Sequence, residues 1–113
     1  MVKLSTPRPV KAVWQDVTAS RALGTIYQNT SGRPIMVSAA VRMDTGAGCA
    51  VQFESLIGPS SPPTLSLGYS GLVGPANENL YGYITFIVPN NYYYKIQIVV
   101  GAGVMAKWLE VEL

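Results

Sequence analysis

The side chains able to do chemistry are few and widely spaced. The 113-residue chain has no histidine and one cysteine. Without histidine there is no imidazole base, no Ser-His or Cys-His nucleophile pair, and no imidazole ligand for zinc or copper. Acid–base work would fall to the carboxylates alone. Glu110 and Glu112 are two apart, so on a strand they share one face, the spacing from which a glycosidase-type carboxylate pair could be built. Their place at the end of the chain reads instead as solvated edge charge that discourages strand addition. Asp16, Asp44 and Glu54 are isolated, and an active centre made from them would require all three to meet in one cleft. Cys49 shares a strand face with Val51 and Phe53 and reads as a buried apolar thiol. No cysteine, histidine or carboxylate spacing matches a metal site. Gly46-Ala47-Gly48 and Gly101-Ala102-Gly103 lack the lysine and following helix of a phosphate loop and read as turns. The expectation is a protein without catalytic, metal or cofactor-binding residues.

The aromatic residues say more. Tyr92, Tyr93 and Tyr94 are consecutive, and on a strand Tyr93 faces away from the other two. At least one therefore meets solvent or a partner, where tyrosine buries its ring and keeps its hydroxyl satisfied. With Trp108 these are the candidate subunit-contact residues. Core packing and a carbohydrate-stacking platform are the two alternatives.

The elements that would position these groups follow a period of two. Strands are expected at Val13–Thr18, Leu23–Gln28, Pro34–Asp44, Cys49–Ile57, Tyr81–Val88, Tyr92–Val100 and Gly103–Leu113. In the clearest, Ile35, Val37, Ala39, Val41 and Met43 fall on one face. Tyr92, Tyr94, Ile96, Ile98 and Val100 form another row, and Met105, Leu109, Val111 and Leu113 a third that Lys107 interrupts. Asn29-Thr30-Ser31-Gly32 and Pro89-Asn90-Asn91 read as hairpin connections. Asn29-Thr30-Ser31 also fits a glycosylation acceptor, but is read as a turn. Gly58–Asn79, rich in proline, glycine and serine, reads as a long loop with one short strand at Thr64–Leu67, either partner-facing or solvated. Nothing reads as a long helix. Strands of this length and spacing indicate an all-β sandwich or barrel; an antiparallel β-sandwich over residues 13–113 is the expected fold.

Residues 1–12 read as an extended arm. Pro7 and Pro9 hold it out of helix, and Lys3, Arg8 and Lys11 make it basic. With these five as partner-binding residues, the arm would order against a partner rather than alone. Charged residues make up 12% of the chain, about half the ~25% usual for a soluble domain. They divide unevenly: residues 1–42 carry six basic side chains and one acidic, residues 43–113 two basic and five acidic. Complementary halves suit contacts between copies or with a neighbour. The basic residues are single and no nucleic-acid-binding motif is present, so nucleic acid is not an expected partner. Met1–Val10 lacks the apolar stretch of a signal peptide, and no apolar run approaches the ~18–20 residues of a membrane helix. Synthesis in the cytoplasm, with no membrane partner, is expected.

Trp14-Gln15-Asp16-Val17-Thr18, Ser20-Arg21-Ala22-Leu23-Gly24-Thr25 and Tyr27-Gln28-Asn29-Thr30-Ser31-Gly32-Arg33-Pro34-Ile35 together resemble a motif of small β-domains in tailed-bacteriophage virion proteins, W-x-D-V-T-x-S-R-x-x-G-T-x-Y-x-N-x-T-G-R-P-I. Ile87–Tyr93 resembles the strand–Pro–Asn–Tyr turn of the same proteins, and Lys107-Trp108-Leu109-Glu110 is similar to their closing W-x-E-L. The resemblance implies a jelly-roll-like sandwich, usually trimeric and without catalysis, found in head-decoration proteins, spikes and tail fibres. It marks Trp14, Asp16, Arg21, Tyr27, Asn29, Gly32, Arg33 and Pro34 as structural, with Arg21 and Arg33 bridging to Asp16 or to backbone carbonyls. The expected protein is a homotrimer on the virion surface, in contact with capsid or tail proteins. A tip domain that binds a host receptor or glycan is the alternative.

Overall fold

Alternation of apolar side chains gives a long strand one face to bury, and the described residues form eight strands in two layers. The computed structural model describes residues 13–43, 50–74 and 80–113. The arm residues Lys3, Pro7, Arg8, Pro9 and Lys11, together with Asp44, Cys49 and Glu78, lie outside the described residues. The strands are β1 (Gln15–Asp16), β2 (Tyr27–Gln28), β3 (Ile35–Met43), β4 (Ala50–Gly58), β5 (Leu65–Val73), β6 (Tyr81–Val88), β7 (Tyr93–Gly101) and β8 (Gly103–Glu112), with one 3-10 turn at Thr18–Ser20.

Strands pair antiparallel as β1 with β8, β2 with β7, β3 with β6 and β4 with β5. This is one long hairpin folded back on itself. It is then rolled so that β3 also meets β8 and β4 also meets β7. Sheet A has the order β1-β8-β3-β6 and sheet B the order β2-β7-β4-β5. Eight strands arranged in this way form a jelly roll. Among the described residues, the expected antiparallel sandwich of jelly-roll type is the fold of the chain.

The core lies between the sheets. Ile35, Val37, Ala39, Val41 and Met43 of β3 are all buried, as read from their spacing; they lie beside Phe86 and Val88 of β6 in the same sheet and pack in one core with Val51, Phe53 and Ile57 of β4 in the other. Complete burial of each such side chain contributes about 1.5–3 kcal/mol relative to exposure.

Several local readings need correction. The first two strands are only two residues each. The 3-10 turn stops the first, and Gly24, at φ +77°, breaks the second. The two connections read as hairpins are crossovers between sheets, because β2 and β3, like β6 and β7, lie in different layers. Among the described residues, the only consecutive pair in one sheet is β4 and β5. The segment read as a loop contains β5, a nine-residue strand. It accommodates Gly68, at φ +137°, where its register with β4 slips beside Ser55; glycine takes that conformation without steric cost.

Two further slips reset the side-chain rows. β8 slips against β3 at Ala106, so Met105 and Trp108 face inward, while Lys107 and Leu109 point outward. Lys107 shares the outer row with Val104, Leu109 and Val111 and interrupts it as read; Met105 is the member that leaves the row for the core side. β7 slips against β4 at Val99, turning Val100 out of its expected row to 51% exposure.

Candidate functional site

The densest polar assembly forms where β8, β7 and the chain between β1 and β2 converge. The Glu110 carboxylate is at its centre. Oε2 accepts bonds from the Tyr94 hydroxyl at 2.7 Å, Trp108 Nε1 at 2.9 Å and Arg21 Nε at 3.2 Å; Oε1 accepts one from an Arg21 terminal nitrogen at 3.1 Å. Arg21 also lies 4.6 Å from the centre of the Tyr27 ring, a cation–π contact. The Tyr27 hydroxyl in turn accepts the Ala22 N–H. Tyr27, Tyr94 and Trp108 pack as tilted and edge-on pairs with centroids about 6 Å apart. Burial, then the bond to Glu110, pushes the Tyr94 hydroxyl far above the ordinary tyrosine range, so it stays protonated as a donor.

This assembly borders a cleft of about 570 Å³, lined among others by Gln15, Gln28, Ser31, Glu110 and Glu112. Glu110 is not a solvated edge charge: its side chain is 14% exposed and bonded to four donor groups. An acid–base pair of Glu110 with Glu112 is disfavoured by that saturation, since a carboxylate holding a bidentate arginine is poorly placed to exchange protons.

A second knot joins the two crossovers. Asn29 is 3% exposed. Its Nδ2 donates to the carbonyls of Arg33, Val88 and Pro89, and its Oδ1 accepts from the N–H and hydroxyl of Ser31. Its backbone N–H donates to the Tyr92 carbonyl, and its own carbonyl accepts from the Asn91 N–H. Asn29-Thr30-Ser31 is a turn, as read, with the amide nitrogen buried in internal bonds. Gly32 has φ +87° and donates its N–H to Asn90 Oδ1; Pro34 accepts from the Leu113 N–H.

Asp16 accepts from the hydroxyl and N–H of Thr18 and forms an ion pair with Lys107 at 3.1 Å. The Thr18 bonds, with Lys107 behind them, lower its pKa to about 2. Glu54 sits under neighbouring side chains on the outer face of sheet B. Bonds from Gln97 and Ser66 hold its pKa below the ordinary value. Asp16 and Glu54 are on outer faces of different sheets and do not share a cleft. Among the described residues, no three His, Cys, Asp or Glu side chains are grouped as a metal site would need.

Of the residues singled out from sequence, Asp16, Arg21, Tyr27, Asn29, Gly32 and Pro34 are tied into these two knots and the β1 end. Arg21 bridges to Glu110 and to the Ser20 carbonyl rather than to Asp16. Among the described residues, Arg33 is bonded through its backbone and not its guanidinium: its carbonyl accepts from Asn29 Nδ2 and the Ser31 hydroxyl, and its N–H lies 3.2 Å from Ser31 Oγ. Trp14 is 45% exposed. Two subunit-contact candidates are corrected: Tyr94 is 1% exposed and Trp108 0%, both in the core, because the slip at Ala106 turns Trp108 inward to meet Tyr94. Tyr92 and Tyr93 keep partial exposure.

Sequence reasoning missed a different surface. On the outer face of sheet A, Tyr81, Tyr83 and Ile87 of β6 are exposed, beside Met36 and Ala40 of β3 and Val104 and Leu109 of β8. The signal was present in the period-two partner of the row Gly82, Ile84, Phe86, Val88: the opposite row is aromatic and aliphatic where a solvated face is normally polar. No family model, no curated protein and no solved structure matches this chain.

Proposed function

We propose that the chain is a non-enzymatic structural protein of a bacteriophage virion. In this reading it is a homotrimeric accessory protein on the particle surface, decorating the head or attached to the tail, with residues 1–12 holding it to an underlying virion protein. The observation that carries the reading is the apolar outer face of sheet A. Tyr81, Tyr83, Ile87 and Val104 are each more than two-fifths exposed on one face of a chain with few charges. Arg42, Ser38 and Thr85 are interleaved with them, and exposed apolar surface set among polar residues in this way marks a contact with another protein. The resemblance of Trp14–Ile35 supplies the virion context, and its residues serve here as internal ties. Deleting residues 1–12 tests the anchor: the shortened chain is expected to fold and to be absent from particles assembled in its presence. Normal incorporation would refute the anchor.

A second reading, a tip domain for a host receptor or glycan, draws on the cleft. Its lining of amide, hydroxyl and carboxylate groups from Gln15, Gln28, Ser31 and Glu112 suits a hydroxyl-rich ligand. Binding of the purified protein to host cells or immobilised glycans, lost on Gln28→Ala, would favour it.

A further inference from the structure

Sheet A has two open edges that face opposite ways. One is β6, which pairs only with β3. Along Tyr81–Val88 it has no charge, no proline and no slip of register with β3. Natural edge strands are normally guarded by charge, proline, a bulge or shortness. The corresponding edge of sheet B, β5, is guarded by its bulge at Gly68. The other open edge is the first half of β8. β1 pairs with β8 only at Leu109 and Glu110, and bonds from Val17 and Thr18 extend that cover to Trp108. Among the described residues, Gly103–Lys107 has no strand on that side. Its one charged side chain, Lys107, is already paired with Asp16.

The two edges are level with each other. Arg42 of β3 is flanked by Tyr81 on one side and Val104 on the other, and Ala40 by Tyr83 and Lys107. A rotation about an axis running roughly along the strands therefore brings β6 of one copy beside the open half of β8 of the next, at the same height. β6 and β8 each run antiparallel to β3, so the new pair is parallel. A contact between two different surfaces of identical chains is heterologous, and it closes into a ring when the rotation divides a full turn.

We propose that sheet A continues from copy to copy, β6 (Tyr81–Ile84) pairing with Val104–Lys107 of the neighbouring β8. This inference rests on the reading that the chain assembles with itself, and it specifies which strands meet. It satisfies backbone groups left open on both edges and places the exposed Tyr81, Tyr83 and Val104 side chains along one shared seam.

The test co-produces a Tyr81→Cys chain and a Val104→Cys chain, each in a Cys49→Ser background, treats the mixture with a short bifunctional maleimide and runs it on a denaturing gel, with the mass of the untreated protein measured in parallel; separate chains are used because the two sites flank Arg42 within one chain and would be bridged internally. A covalent dimer from the mixture, absent from either single-cysteine chain alone, is expected. A trimeric mass without that dimer overturns the strand assignment and leaves the assembly reading intact. Covalent dimers from the Tyr81→Cys chain alone show β6 pairing with β6 and likewise overturn the assignment. A monomeric mass overturns both. Tyr83→Lys, at an exposed position that leaves the core intact, is expected to raise the concentration of half-assembly roughly tenfold or more by putting a guard charge on the edge; no change would count against the seam.

Discussion

Glu110→Ala examines the buried network quantitatively. The substitution leaves the Tyr94 hydroxyl and Trp108 Nε1–H without their acceptor, and at 1% and 0% exposure water from the adjoining cleft replaces it only in part. Each orphaned buried donor costs about 1–3 kcal/mol. Arg21 loses both bonds to the carboxylate, but its side chain is 20% exposed and regains some hydration, adding about 1 kcal/mol. The expected loss is about 4 kcal/mol, a large part of the roughly 5–15 kcal/mol stability of a domain. At about 4 °C per kcal/mol for a chain of this size, the melting temperature should fall by roughly 15 °C. Urea unfolding followed by tryptophan fluorescence is the assay, at fixed protein concentration so that assembly does not contribute. Tyr94→Phe removes one of the orphaned donors. The double variant should therefore be less destabilised than the two single losses combined, by about 1–2 kcal/mol. A Glu110→Ala loss under about 1 kcal/mol, or strict additivity with Tyr94→Phe, would refute the claim that this carboxylate holds the end of the sandwich together.

Other consequences can be measured in the same way. Asn29→Ala strips the buried Val88 carbonyl and two others of their donor and should cost about 3 kcal/mol, more than its size alone suggests; an equilibrium unfolding curve checks this. Gly82→Ala places a methyl group 3.0 Å from the Phe53 ring and 3.3 Å from Leu72, and overpacking of this kind should cost about 1–3 kcal/mol by thermal melting. The folded pKa of Asp16 is depressed from 3.8 to about 2, so its contribution is complete above the unfolded value and disappears as pH falls through that window. Asp16→Asn should accordingly flatten the acid limb of a plot of urea midpoint against pH; an unchanged limb would contradict the Thr18 and Lys107 contacts.

The fold was legible in the sequence where period two ran uninterrupted. β3 could be read face by face because no slip interrupts its alternation, and all five inward residues are buried. The reading failed where one extra residue changes the phase. Ala106 and Val99 are bulge positions with ordinary strand-forming neighbours, and nothing local marks them. From those two residues follow the inward placement of Trp108, the exposure of Val100 and the departure of Met105 from the row that Lys107 interrupts. Turn chemistry at Asn29 and Pro89 was recognised, but a turn signal does not say whether the chain stays in its sheet or changes layer; here the β2–β7 and β3–β6 pairings decide it. Arg21 was recognised as a bridge without its partner, because Glu110 lies 89 residues away and only the β1–β8 pairing brings them together. The apolar outer row of β6 was legible in principle. Its tyrosines drew less notice than the run at Tyr92–Tyr94, whose last member turned out to be core.

Self-assembly is the claim on which the proposed role and the seam of sheet A both depend. Light scattering or sedimentation equilibrium of the purified chain at micromolar concentration tests it most directly. The account predicts a mass three times the 12.1 kDa of one chain, shifted toward monomer by Tyr83→Lys. A single species of one chain's mass across that concentration range would contradict it.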